Sequence, residues 1–95
     1  MNHYHEIPES LSDVTHDRAR ALHSLKEEIE AVDWYQQRIE NCSDAQLTKI
    51  LVHNRDEEIE HASMLLEWLR RNMKGWDKNL KKYLFTQNEI TSVKS

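Results

Sequence analysis

The sequence predicts an all-α fold, an antiparallel two-helix hairpin followed by a short C-terminal helix. Three observations lead there. A single glycine (Gly75) and a single proline (Pro8) in 95 residues leave little from which to build the turns of a sheet. Charged residues make up 32% of the chain, and apolar residues recur at spacings of three and four, the period of a helix with one buried face. One short break, Asn41 to Asp44, divides the two longest periodic stretches, and long helices joined by so few residues run antiparallel.

Ninety-five residues make one domain at most and bury only a modest core alone, so oligomerisation is expected. Residues 11–86 are read as the domain, between a flexible arm (1–10) and a C-terminal tail (87–95). A net charge of -4 without a concentrated Lys/Arg face excludes nucleic acid as a partner, and divalent cations suit the balance better. No stretch approaches the roughly 20 apolar residues of a membrane span, and the opening MNHYHEIPES is polar where a secretory signal has an apolar centre. A soluble, intracellular protein is expected. Cys42 is the sole cysteine, which excludes a disulfide framework or a thiolate zinc site within the chain.

In the arm, His3 and His5 form a weak metal-binding pair, far less specific than a motif fixed on a helix. Ser10, Ser12 and Asp13 are all suitable N-caps for the first helix, predicted from Asp13 to Glu40. Its inward stripe is Leu22, Leu25, Ile29, Val32 and Ile39, with Ala21, Glu28 and Tyr35 along the stripe's edge at spacings of seven. Glu27, Glu30 and Trp34 project to the opposite side. An indole on an acidic surface implies that another subunit or partner covers it.

Ser43 with Gln46 fits a capping box for a second helix, predicted from Asp44 to Met73. Its inward stripe runs Leu47, Ile50, Leu51, Asn54, Glu58, His61, Leu65, Trp68 and Leu69, so polar residues interrupt an apolar line at its middle. Asp56, Glu60, Glu67 and Arg70 read as ordinary surface. Gly75 is expected to terminate the helix as its C′ residue, with Arg70, Arg71 and Lys74 suiting the negative end of the dipole. Leu80, Tyr83 and Leu84 predict a third, short helix from Asp77 to Phe85.

A lone Glu-x-x-His is weak evidence, but Glu58 and His61 stand three apart on the inward face, where both side chains can grip one ion. Glu28 adds a carboxylate from the paired helix. Two inward carboxylates and one imidazole leave excess negative charge with no inward Lys or Arg near the middle of the stripes, and a bound cation is the simplest remedy. Carboxylates with one imidazole per metal suit iron or manganese. Ferritin-like di-iron bundles use one Glu from each of two helices and a Glu-x-x-His from each of two more. This chain supplies half of that set, and a two-fold dimer of hairpins completes it in a four-helix bundle.

Three segments carry a family resemblance: EEIEAVDWYQQR (Glu27 to Arg38), HNRDEEIEHASMLLEWLRR (His53 to Arg71) and KYLFT (Lys82 to Thr86). From about Asp13 to Thr86 the chain resembles the encapsulated ferritins, ferritin-like cargo proteins of encapsulin nanocompartments. The resemblance implies a homo-oligomer, a ring of dimers and usually a decamer, with two iron ions at each dimer interface. It implies that Glu28, Glu58 and His61 are the iron ligands with Tyr35 close by. It further implies that Glu27 and Glu30, beside Trp34, form an outer acidic site open to other divalent cations. The activity implied is a ferroxidase, oxidising Fe(II) to Fe(III) with oxygen, and the location implied is cytoplasmic, inside an encapsulin shell that stores the mineral. Relatives commonly end in an apolar encapsulin-docking peptide, and none is visible up to Ser95. Two rivals remain: a peroxide-reducing di-iron protein related to rubrerythrin, and a non-catalytic helical adaptor whose polar cluster fixes register.

Overall fold

The turn at Cys42–Asp44 sets the architecture, because it reverses the chain and places residues equidistant from Ser43 opposite one another. A computed structural model describes residues 4–93. Helix α1 spans Asp13–Asn41, α2 Ala45–Asn72 and α3 Trp76–Tyr83, with single 3-10 turns at Pro8–Ser10 and Ile90–Ser92 and no strand among the described residues. The predicted all-α hairpin with a short third helix is the fold observed.

Ser12 caps α1, its side chain accepting from the Thr15 N–H at 3.2 Å. The cap of α2 is Asp44 rather than the expected Ser43: its Oδ2 accepts from the Leu47 N–H at 2.7 Å. A carboxylate in that place adds charge to the hydrogen bond and faces the positive end of the helix dipole, which favours it over the hydroxyl one residue earlier.

The end of α2 also differs from expectation. Met73 closes it, its N–H donating to Leu69 O, and Gly75 instead stands as the N-cap of α3 with a φ of 101°. The glycine is needed for the sharp change of direction between helices. A Cβ there meets nothing within 4 Å, so an added methyl is strained by backbone conformation alone. Gly75→Ala is expected to destabilise the α2–α3 junction by about 1–2 kcal/mol, read from the midpoint of urea unfolding followed by far-ultraviolet circular dichroism.

Helix α3 starts one residue earlier than predicted and stops two earlier, because Leu84 is extended and Phe85 takes a φ of 58°. Glu67 and Arg70, expected to be ordinary surface, hold α3 in place. Arg70 donates to both Glu67 carboxylate oxygens and to Asp77 on α3, Arg71 donates to Glu67 and Lys81 pairs with Asp77. The Trp76 indole N–H donates to Met73 Sδ at 3.3 Å. Hydrogen bonds from Arg70 and then Arg71 pull the Glu67 carboxyl down from 4.5 to about 2, and Lys81 followed by Arg70 lowers Asp77. Carboxyls depressed on folding stabilise the structure above their unfolded values and lose that contribution as pH falls through the folded ones. Hydrogen exchange in residues 76–85 is therefore expected to lose protection, relative to the rest of the chain, as pH drops from about 4.5 towards 2. Arg70→Ala should weaken that pH dependence, leaving the part that the Arg71–Glu67 and Lys81–Asp77 pairs supply.

At the other end, His16 holds the start of the described chain against α1. Its ring nitrogens are hydrogen-bonded to the Tyr4 hydroxyl (3.0 Å) and the Pro8 carbonyl (2.7 Å). Arg18 Nε donates to the Asn72 carbonyl at 2.8 Å, tying the start of α1 to the end of α2.

Packing between the long helices is rotated from the predicted centre line. Ala21, at the stripe's edge, is only 7% exposed, whereas Ile29, at its centre, is 56% exposed. The edge line Ala21, Glu28 and Tyr35 therefore faces α2, and much of the apolar stripe turns outward. Leu69 is the single large side chain fully buried among the described residues.

The result is a flat body, 49 × 40 × 18 Å, with a radius of gyration of 17.1 Å where a compact chain of this length has about 12 Å. Its accessible surface is 7761 Å², against about 5,800 Å² for a compact monomer of 11.4 kDa. The excess of about 2,000 Å² exceeds the roughly 800 Å² that each partner buries in a standard interface.

Candidate metal centre

Residues 28 and 58 are equidistant from Ser43, so the turn alone brings Glu28 of α1 opposite Glu58 of α2. One turn further along α2, His61 rises beside both carboxylates. His61 Nδ1 lies 3.5 Å from Glu28 Oε2 and 3.6 Å from Glu58 Oε2. One oxygen or nitrogen from each of the three lies within 4.8 Å of the others, and this is the only group of three or more such ligands among the described residues. The two carboxylates are each 24% exposed and the imidazole 44%, so the group is sheltered between the helices yet open on one side.

Glu28 Oε2 carries the strongest local signal. It is buried without a hydrogen-bond partner, and leaving such an atom unsatisfied costs about 1–3 kcal/mol, more when it is charged. Asn54, one turn before Glu58 and half-buried, does not supply the missing donor. A cation satisfies that oxygen and offsets the charge of both carboxylates, and two oxygens with one imidazole nitrogen form a donor set suited to iron or manganese. The residues present fit such an ion. Three ligands from one chain leave further coordination positions open towards the exposed side.

On that side α2 presents Leu47, Ile50, Met64 and Trp68, all exposed, to either end of His61. Exposed apolar side chains gathered around a polar group are more typical of an interface centre than of a solvated surface.

The other predicted site residues are placed differently. Tyr35 is half-buried two turns beyond Glu28, about 10 Å along α1, with the Arg38 guanidinium 5.4 Å from its ring centroid. Glu27 and Glu30 are not gathered into a ligand group within one chain. Glu27 lies 3.8 Å from the His23 imidazole and Glu30 3.9 Å from Lys26 Nζ, with Trp34 half exposed beside them. His23 was not singled out in the sequence, although its place four residues before Glu27 is the signal that would have found it. Of the histidines in the arm, His5 is exposed and His3 lies outside the described residues.

Comparison with known proteins agrees with this architecture. Residues 3–87 match the family described as EncFtn-like. A ferritin-like protein of Thermotoga maritima is 60% identical over 90 residues, covering 95% of this chain and 79% of its own length. An encapsulated ferritin-like protein of Rhodospirillum rubrum is 53% identical over 94 residues, covering 99% of this chain and 67% of its own. The crystal structure of a protein from Nitrosomonas europaea superposes with a TM-score of 0.91 at 56% identity, covering 94% of this chain and 98% of that one.

Proposed function

This chain belongs to the EncFtn-like family, and from that premise we propose that it is a ferroxidase whose di-iron site forms between two subunits. The family gives it a ferritin-like, iron-related role. The observation that carries the finer reading is the Glu28–Glu58–His61 group, half of a di-iron ligand set with a buried, unpartnered carboxylate oxygen and an open apolar rim. A two-fold axis through that rim brings two such groups together, supplying four carboxylates and two imidazoles for two iron ions.

Iron is the substrate. Glu28 and Glu58 hold Fe(II) by charge and favour the ferric product further, because a higher charge gains more from the same carboxylates. His61 fixes each ion through one imidazole nitrogen, and the covering subunit excludes bulk water. Each ion gives up one electron, and dioxygen accepts the electrons together with protons from solvent. Tyr35 is a neighbour of the site, about 10 Å along α1 from Glu28, and Glu27 and Glu30 form an outer acidic site that collects divalent cations.

The assembly in this reading is a ring of dimers, with ten subunits as the expected size, working in the cytoplasm inside an encapsulin shell that receives the oxidised iron. The Rhodospirillum rubrum relative is an encapsulated ferritin-like protein, which supports the shell, and the excess of exposed surface supports association. A rubrerythrin-like peroxide reductase is separated from this reading by comparing turnover with oxygen and with peroxide. The adaptor reading leaves Glu28 Oε2 buried without a hydrogen bond, where structural polar clusters satisfy the large majority of such atoms. The test is the rate of iron oxidation after anaerobic loading, with and without the three ligands.

A further inference from the structure

The apolar rim beside the metal ligands contains one thioether, that of Met64. It stands one turn past His61, about 4.5 Å further along the axis of α2, and one turn before Trp68. Met64 is 59% exposed. With Glu60, Ser63, Glu67, Trp68 and Arg71 it lines an open cavity of about 430 Å³, so a small solute reaches the sulfur from bulk water.

The other methionine among the described residues is held differently. Met73 is half-buried, and its Sδ accepts from the Trp76 indole N–H at 3.3 Å. That bond engages a lone pair an oxidant would need, which slows reaction at Met73 and leaves Met64 the more reactive of the two. Hydrogen peroxide is the oxidant that fits such a sulfur. The sulfur lone pair attacks one peroxide oxygen, the O–O bond breaks, and the proton left on the transferred oxygen passes to the departing hydroxide. Sulfur loses two electrons, peroxide gains them, and the products are methionine sulfoxide and water.

We propose that Met64 is a peroxide-sensitive modification site, whose oxidation to the sulfoxide in the separate chain blocks closure of the metal-ligand face on a second subunit. The inference rests on the reading of that face as the iron-dependent contact. A sulfoxide is polar where the thioether is apolar. Covering it among Leu47, Ile50 and Trp68 strips its hydration and offers apolar neighbours in return. Two-fold symmetry imposes that cost twice. The same sulfur is sheltered once two subunits have met, so the modification acts on metal-free chains. Peroxide thereby withholds those chains from assembly until the sulfoxide is reduced.

To test it, the metal-free parent and Met64→Leu are treated with hydrogen peroxide, cleared of it with catalase and mapped by peptide mass spectrometry. Native mass spectrometry with anaerobic Fe(II) then reads association, beside untreated samples. Met64 should gain one oxygen several-fold faster than Met73, and the iron-dependent association constant of the parent should fall at least about tenfold. Circular dichroism should show its helices retained, and methionine sulfoxide reductase should restore association. Leucine keeps the volume and the apolar character, so Met64→Leu should associate alike before and after peroxide. That variant retains Cys42 and Met73, which separates their oxidation from that of Met64. The inference is overturned if Met64 reacts no faster than Met73, if the treated parent loses its helices or associates like the untreated one, or if treated Met64→Leu loses association equally. In each of these cases the metal-site reading stands. An untreated parent that fails to associate with iron is instead the failure of the shared site, and the inference falls with it.

Discussion

Replacing Glu28, Glu58 or His61 by alanine is expected to slow oxidation of anaerobically loaded Fe(II) by more than about 100-fold, beyond the loss usual for outer-shell partners of a metal. In the proposed two-fold site each residue enters twice, so one substitution removes two ligands. The readout is the absorbance of ferric product after mixing with oxygenated buffer. Glu28→Gln sharpens the prediction. Without metal it removes a carboxylate charge beside Glu58 and gives the buried, unpartnered position an amide donor, so the metal-free protein should become more stable by about 1 kcal/mol. For a domain of this size that is a rise in Tm of about 4–8 °C. Stability gained together with activity lost marks a site strained for a ligand. Three alanine variants that oxidise iron like the parent would show that the assignment is wrong.

The second large effect is on assembly. A ligand that binds the dimer and not the separate chains drives association by mass action. Divalent iron is therefore expected to convert monomers into dimers and larger species, with His61→Ala remaining monomeric at the same protein and metal concentrations. The isolated hairpin buries little, with Leu69 and Ala21 its only buried apolar residues among those described, so the apolar rim of Leu47, Ile50, Met64 and Trp68 adds its own contribution once ligands meet. Light scattering with and without iron reads the result. A parent that stays monomeric in both conditions would remove the basis for a shared site.

Much of this was legible in the residues themselves. The hairpin followed from helical periodicity and one short break, and Glu58 and His61 stood out because they interrupt an apolar line at its middle. Glu28 was legible as a companion through its spacing from Ala21 and Tyr35. The details that were not legible depend on tertiary contacts. Glu67 and Arg70 have the spacing of a surface pair, and only the approach of Asp77 from α3 turns them into an anchor. Gly75 has the composition of a C′ residue, but the bend into α3 fixes where its positive φ is used. The apolar stripe of α1 is wide, and periodicity alone does not say which edge meets α2. Ala21 settled inward and Ile29 outward because the small side chain lets the helices approach closely. The pairing of His23 with Glu27 has the i, i+4 spacing that brings two side chains together on one helix face.

The central claim is that one chain holds half a site, and metal stoichiometry under native conditions tests it most directly. Native mass spectrometry of protein loaded anaerobically with Fe(II) should show dimers carrying two iron ions and monomers carrying none. Monomers saturated with iron, or dimers that bind none, would contradict it.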